Sequence, residues 1–263
     1  STRALSSAAS DVYKRQRLAM ANRVQIGSIW MDGILKRPCF RFEPEDHFPF
    51  DPVANIEFRD STGGPDDIIW IVANNKLIAD RPVMHSASFA DLQELNLGHG
   101  QEVVLDGQRY RIRTLMDLEE WTSALDEIGE DDHIWHWEQR QSFLQQPSGE
   151  ESKVICTDLG NPYHAVTAVR TDRRYQTAWR PVLELARKPD FRQLEIGQKL
   201  LCWGGQSLVS GILLEDGTYD LILQRQDGTD ICPKDATTFA SPAMGDKVIV
   251  NKSAVAGVKR KEK

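Results

Sequence analysis

Apolar and polar positions alternate along much of the chain, and short turns of Gly, Asp and Asn interrupt the alternation. A period of two is typical of half-buried strands. Residues 24–60 read VQIGSIW and ILKRPCFRFEP on either side of Asp32-Gly33, which predicts a β-hairpin, and NIEFRD then predicts a further strand. The run IIWIVA has the length of a buried strand. EVVLDGQRYRIRTL predicts a second hairpin around Asp106-Gly107.

One segment has the spacing of a helix. Between Leu118 and Ile128 apolar residues recur at i, i+3, i+7 and i+10, which predicts one buried helical face. Asp117 stands at the N-cap position and Glu120 follows three residues later, the pattern of a capping box, and Gly129 is placed to end the helix. SFADLQEL, residues 88–95, predicts one or two further helical turns.

Strands are predicted for the rest of the chain. IWHW, VICTDL, HAVTAVRT and TAWRPVLELA are each apolar enough to be strands. RKPDFR, residues 187–192, changes composition and contains proline, which indicates a boundary. The sequence thus predicts a β-rich region over 17–100, a domain over 101–188, a small all-β module over 194–252 and a frayed charged tail over 253–263.

Residues 6–16, SSAASDVYKRQ, look like the in-frame translation of a sequencing adapter. Residues 1–16 are therefore expected to be an artefactual or disordered arm. On this interpretation the chain comes from a metagenomic assembly, and the natural start is lost or lies at Met20 or Met31.

Charge and composition exclude several classes of protein. The 263 residues carry a net charge of −7 and show no dominant basic stripe, so we expect no nucleic-acid partner. No apolar run approaches the roughly 18 residues that span a bilayer, so we expect no membrane insertion. The four cysteines lack a C-x-x-C pair and are expected to be buried free thiols, which favours a reducing compartment: Cys39, Cys156, Cys202 and Cys232. A cytoplasmic or virion-associated location fits best.

Candidate catalytic and metal-binding groups are few. Asp131, Asp132, His133 and His136 invite a metal interpretation, but if IWHW is a strand their side chains diverge, so we expect no metal. Cys156 precedes His164 without a glycine-rich elbow, and no nucleotide-binding motif occurs, so we expect no catalytic residue and no cofactor. An enzyme that uses His133, His136, Cys156 or His164 remains the alternative.

Two segments are biased in charge. Residues 117–132 contain eight acidic residues and no basic one, which favours a solvated face over a metal cage. The stretch from Arg170 to Arg192 is locally basic. It is either an anion-binding surface or, as we prefer, a partner of the acidic segment.

The order DGQRYRIRTL, EEWTSALDEI, IWHW and WRPVLEL resembles the C-type-lectin-like fold of the formylglycine-generating enzyme class, in its non-enzymatic bacterial and phage versions. The resemblance covers about residues 102–188. The paired late cysteines of the true enzymes and the calcium-ligand tripeptides of animal lectins are absent here. The expected fold class is α+β, mostly β: a C-type-lectin-like domain with an N-terminal β-rich region and a small C-terminal all-β module.

The resemblance implies a noncatalytic binding or structural protein of a phage or mobile element. Members of this class bind ligands through irregular loops above a tryptophan-rich core, so the loop surface between Ile134 and Arg180 is expected to bind a protein or a glycan. The candidate ligand-binding residues are Trp135, Trp137, Arg140, Tyr163, Arg173, Arg174 and Tyr175.

Overall fold

Strands from both sides of residue 100 pair in one antiparallel sheet, here called the first sheet. A computed structural model describes residues 22–38, 54–85, 87–147, 153–170 and 177–260. The strands of the first sheet pair in the order β1, β5, β6, β14, β9, β8. Their bounds are β1 Arg23–Gln25, β5 Ile69–Ala73, β6 Lys76–Ala79, β14 Pro181–Leu185, β9 Gln108–Thr114 and β8 Gln101–Leu105.

β14, the last strand of this sheet in chain order, lies in its middle, between β6 and β9. β14 pairs on one side with β6, where Val182 lies opposite Ile78, and on the other side with β9, where Leu183 lies opposite Ile112. The two regions that the sequence analysis separated at residue 100 therefore contribute strands to a single sheet.

Both faces of the first sheet are buried, which explains the unbroken apolar run of β5. The first core packs on one face and includes Trp70, Val72, Leu77 and Trp179. The second core packs on the other face and includes Ile71, Ile78, Val182 and the helix residue Trp121. A strand that is buried on both faces reads as a continuous hydrophobic run instead of an alternating one.

The helix predicted over residues 118–128 is confirmed as α2, Leu118–Ile128; the shorter helix at residues 88–95 is confirmed as α1, Phe89–Glu94. The Asp117 side chain caps α2 by accepting the Glu120 backbone N–H at 2.8 Å. The second half of the predicted capping box is wrong, because the Glu120 carboxylate accepts the Met116 N–H and the guanidinium of Arg113 instead. Gly129 ends the helix at φ 107° and ψ 157°, outside the left-handed helical region.

IWHW does not form the predicted strand. Asp132–Trp135 is a short helix, α3, and residues 137–139 form a 3₁₀ turn, with His136 between them at φ 48° and ψ 42°. Local hydrogen bonds outweigh the strand-like composition. The Asp131 side chain accepts the His133 N–H, and the Asp132 side chain accepts the Glu138 N–H.

Shorter strands flank the first sheet. The hairpin around Asp32-Gly33 and the strand after it are confirmed, since β2 pairs with both β3 and β4. β10, β11 and β12 form a further antiparallel group, and β7 pairs with β13. The bounds are β2 Ser28–Met31, β3 Ile34–Lys36, β4 Ile56–Arg59, β7 Met84–His85, β10 Phe143–Pro147, β11 Lys153–Thr157, β12 Ala165–Arg170 and β13 Ala178–Trp179.

The predicted all-β module forms a second large sheet, the C-terminal sheet, in the order β18, β19, β17, β16, β15, β20. It has its own core, which includes Cys202, Val209, Leu223 and Phe239. Its strands are β15 Lys199–Gly204, β16 Ser207–Asp216, β17 Asp220–Arg225, β18 Ala240–Pro242, β19 Lys247–Asn251 and β20 Gly257–Arg260.

The prediction of a frayed tail is wrong for residues 257–260, because β20 pairs with β15. Val258 is buried in the C-terminal core. A Cβ at Gly257 would lie 2.0 Å from the Trp203 ring, so only glycine allows this approach. The charged composition of the segment suggested fraying, although it contains the buried Val258 and the close approach of Gly257 to Trp203.

The C-terminal sheet also packs against the first core. Leu201, Trp203 and Leu208 belong to that core, although the strands that carry them are in the C-terminal sheet. Lys259 reaches across the junction to Asp106 at 2.6 Å. The module beyond the predicted boundary thus has its own core and an apolar interface. In the described parts of the chain, no helix has the length and apolar character needed to cross a membrane.

Candidate functional site

Aromatic side chains gather in and beside the second core. Trp121 on α2 and Trp135 on α3 are fully buried and meet edge to face, with ring centroids 5.1 Å apart. Trp137 and Tyr163 are partly buried and pack against the same core. The amphipathic face of α2 supplies the floor, and the loops on either side supply the rim.

The indole N–H groups of this cluster hold the surrounding loops. Trp121 donates to the Pro162 carbonyl at 3.0 Å, so α2 is tied to the turn that carries Tyr163. Trp135 and Trp137 donate at 2.8 Å to the carbonyls of Gly129 and Glu130, respectively. Each buried indole thus satisfies its donor by fixing a loop backbone.

The candidate ligand-binding residues have different surroundings. Trp135 has no exposed surface and belongs to the core, so it is not available at the loop surface. Trp137, Tyr163 and Arg140 are partly buried. Arg173, Arg174 and Tyr175 lie outside the described residues.

Arg180 lies under this aromatic cluster and is 1% exposed. Its Nη1 donates to the Ala79 carbonyl at 2.8 Å and its Nε to Ser142 Oγ at 3.2 Å, while its guanidinium lies 4.9 Å from the Trp121 ring centroid. Its Nη2 has no hydrogen-bond partner among the described residues. Burial lowers the pKa of Arg180 to about 9.

The Asp80–Arg81 ion pair and His136 form a hydrogen-bonded group next to Arg180. Arg81 donates two hydrogen bonds to the buried Asp80 carboxylate, at 3.0 and 2.9 Å, and its Nη2 lies 2.9 Å from Nε2 of His136. Burial and the charge of Arg81 lower the pKa of His136 to about 4. The imidazole is therefore neutral at pH 7, and its Nε2 accepts from Arg81. The group is arranged to hold the loop at His136 in place.

Sequence reasoning missed Asp80 and Arg81 and misassigned Arg180. The basic stretch was expected to pair with acidic residues 117–132, but Arg180 contacts a carbonyl, a hydroxyl and an indole. Within the described ranges, Glu120 instead pairs with Arg113 and Lys76. The only sequence signal for the burial of Arg180 was its position inside the apolar run AWRPVL.

The residues named for an alternative enzyme occupy different environments. His133 and His164 are exposed, His136 is held by Arg81, and Cys156 is 1% exposed within the first core. In the described part of the chain, no three His, Cys, Asp or Glu side chains lie close enough to hold a metal ion.

A cleft of about 1120 Å³ opens where the first sheet meets the C-terminal sheet. β1, residues 60–63 and the turn at 106–107 form one side, and Gln198, Ser210, Lys259 and Arg260 stand on the other. Lys259 Nζ contacts the Asp106 carboxylate at 2.6 Å and the Gln25 carbonyl at 2.8 Å. No sequence pattern predicted this cleft, because its walls are distant in the chain.

Comparisons of the chain with protein-family models, with curated proteins and with solved structures find no match. The resemblance to the formylglycine-generating enzyme class, predicted from the short motifs of residues 102–188, therefore stays a prediction. The mostly β character of the fold is seen directly in its sheets.

Proposed function

We propose that the protein is a noncatalytic binding or structural protein of a phage or mobile element. On this proposal a C-type-lectin-like scaffold presents the loop surface around Trp137, Arg140 and Tyr163 to a protein or glycan ligand. The observation that carries the proposal is the aromatic platform: the partly exposed rings of Trp137 and Tyr163 pack against the core that contains the fully buried pair Trp121 and Trp135.

The hydrogen bonds of the platform support a binding role. The Trp137 N–H is bound to the Glu130 carbonyl, and the Trp121 N–H is bound to the Pro162 carbonyl beside Tyr163. The Trp137 ring and the backbone beside Tyr163 are thus held before any ligand arrives, which lowers the entropy lost on binding. A partly exposed ring on a fixed loop offers apolar area to a sugar ring or to a protein side chain.

The alternative is an enzyme that uses His133, His136, Cys156 or His164. Cys156 is 1% exposed, and the low pKa of His136 makes it a poor general base at pH 7. The binding proposal is therefore preferred, and the enzyme becomes one outcome of the test.

A glycan array and a display library of bacterial surface proteins, each probed with the full chain, provide the test. Trp137→Ala and Tyr163→Ala are expected to weaken binding to any selected ligand at least tenfold. Trp30→Ala is the matched control, because Trp30 is also partly buried but lies on β2, beneath Arg59. The control should bind within twofold of the wild type.

Two results would overturn the proposal. The first is a ligand whose affinity is unchanged in both platform variants. The second is conversion of a bound glycan into a new product, detected by mass spectrometry and abolished in His136→Ala or Cys156→Ala.

A further inference from the structure

Two backbone hydrogen bonds show which groups of β1 face β5. The Asn22 carbonyl accepts from the Val72 N–H at 3.1 Å, and the Ile26 N–H donates to the Ile68 carbonyl at 3.2 Å. In an antiparallel pair, alternate residues direct both main-chain groups toward the partner strand. Val24 lies midway between Asn22 and Ile26. Its main-chain N–H and carbonyl therefore also face β5.

Arg23 and Gln25 consequently direct their main-chain groups away from the first sheet. β1 is the edge strand of that sheet, and both residues line the cleft between the two sheets. The Gln25 carbonyl accepts a hydrogen bond from Lys259 Nζ. Among the described residues, the N–H groups of Arg23 and Gln25 and the Arg23 carbonyl have no hydrogen-bond partner. An unpaired strand edge is a template for another strand.

A second, independent observation comes from the opposite wall. Ser210 on β16 is 1% exposed and lines the cleft, yet its Oγ has no hydrogen-bond partner among the described residues. Buried hydroxyl groups are normally satisfied. A polar group of a ligand in the cleft would satisfy this one.

We propose that the cleft binds an extended polypeptide segment of a partner protein, which adds to β1 as a further strand. A polypeptide main chain in an extended conformation offers donors and acceptors at the spacing of the outward groups of Arg23 and Gln25. The described lining contains no aromatic ring on which a sugar could stack. Arg260, exposed at the rim, suits a peptide with an acidic side chain at that end. This site is separate from the aromatic platform.

Selection of random dodecapeptides displayed on phage against the full chain tests the proposal. Gln25→Pro removes the outward N–H and the side-chain amide but leaves the bonds between β1 and β5 in place, because proline is tolerated on an outward-facing edge. We expect this variant to raise the dissociation constant of the enriched, synthesised peptides at least tenfold, and Ser210→Ala to raise it at least threefold. Gln25→Ala keeps the N–H and is the matched control, expected to bind within twofold of the wild type. Trp137→Ala should leave peptide binding unchanged.

Bound peptide should also protect the Arg23 and Gln25 amides from hydrogen exchange. If Gln25→Pro does not fold, as judged by near-ultraviolet circular dichroism, this protection and Ser210→Ala decide the question. The proposal is wrong if no peptide is enriched, or if enriched peptides bind Gln25→Pro as they bind the wild type. It is also wrong if the free protein is a dimer that Gln25→Pro converts to a monomer, because the edge would then pair with a second copy.

Discussion

Glu120→Gln is expected to lower the free energy of unfolding by about 3 kcal/mol at pH 7. Both Lys76 Nζ and Arg113 Nη2 bind Glu120 Oε1 at 2.6 Å, and Glu120 Oε2 accepts from Arg113 Nη1 at 2.9 Å and from the Met116 N–H at 2.7 Å. The side chains of Glu120 and Arg113 are 8% and 3% exposed. This network joins the start of α2 to β6, to β9 and, through Glu184, to β14.

The magnitude follows from the pKa of Glu120. Burial opposes ionisation of this carboxyl, but the hydrogen bonds and charge of Arg113, with those of Lys76 and the Met116 N–H, outweigh burial and lower the pKa from 4.5 to about 2. At 1.36 kcal/mol per pKa unit, ionised Glu120 stabilises the folded state by about 3 kcal/mol. Glutamine keeps the shape of the side chain but removes the charge and leaves Arg113 with Glu184 as its remaining carboxylate partner.

The dependence on pH distinguishes this mechanism from a packing defect. Because the folded pKa is depressed, the contribution of Glu120 is complete above its unfolded pKa and is lost as the pH falls toward 2. The difference between wild type and variant should therefore shrink by about 1 kcal/mol between pH 7 and pH 3.5. Urea unfolding followed by tryptophan fluorescence measures it, with exposed Glu119→Gln as the control, expected to change stability by less than about 0.5 kcal/mol. A loss below about 1 kcal/mol, or an equal loss at both pH values, would refute the reasoning.

Three further predictions concern the cores and their junction. Trp121→Ala should cost about 3–5 kcal/mol, because the indole is fully buried; denaturant unfolding that shows less than about 1 kcal/mol would contradict its place in the second core. Trypsin should cut after the exposed Arg187, and the two fragments should co-elute through their apolar interface; fragments that separate would show that the interface is weak. Asp106→Asn should cost about 2 kcal/mol at pH 7, since Lys259 and Ser61 bind the carboxylate. Burial alone would raise the pKa of Asp106, but the bonds to Lys259 and Ser61 outweigh burial, so the pKa is lowered. The destabilisation by Asp106→Asn should therefore fade as the pH falls through this lowered pKa. A constant cost from pH 7 to pH 3 would count against the ion pair.

The elements that the sequence predicted correctly are those fixed by neighbouring residues. Asp32-Gly33 and Asp106-Gly107 have positive φ at both positions, as a two-residue hairpin turn requires, and both hairpins form. α2 has its predicted bounds because its cap, apolar face and terminal glycine lie within thirteen residues. Each signal needs no knowledge of distant parts of the chain.

The arrangement of the sheets could not be predicted in the same way. β14 lies between β6 and β9 because Val182 fits opposite Ile78 and Leu183 opposite Ile112, pairings that span about seventy to one hundred residues. Apolar alternation shows that a segment is a strand but does not identify its neighbours. For the same reason, the cleft between the two sheets had no signature in the sequence.

The conformation of the loop that carries Trp135 and Trp137 could not be predicted from the sequence for a different reason. At IWHW, composition favours a strand, and a few side-chain bonds reverse the outcome: the Asp131 cap starts α3, and the indoles of Trp135 and Trp137 bind carbonyls six and seven residues earlier. Each net hydrogen bond contributes about 1 kcal/mol, comparable with the difference between helix and strand propensities over four residues. The decision therefore rests on individual bonds rather than on pattern. Trp135 and Trp137 bind the adjacent carbonyls of Gly129 and Glu130, so the buried Trp135 holds the same short loop that anchors Trp137 on the proposed binding surface.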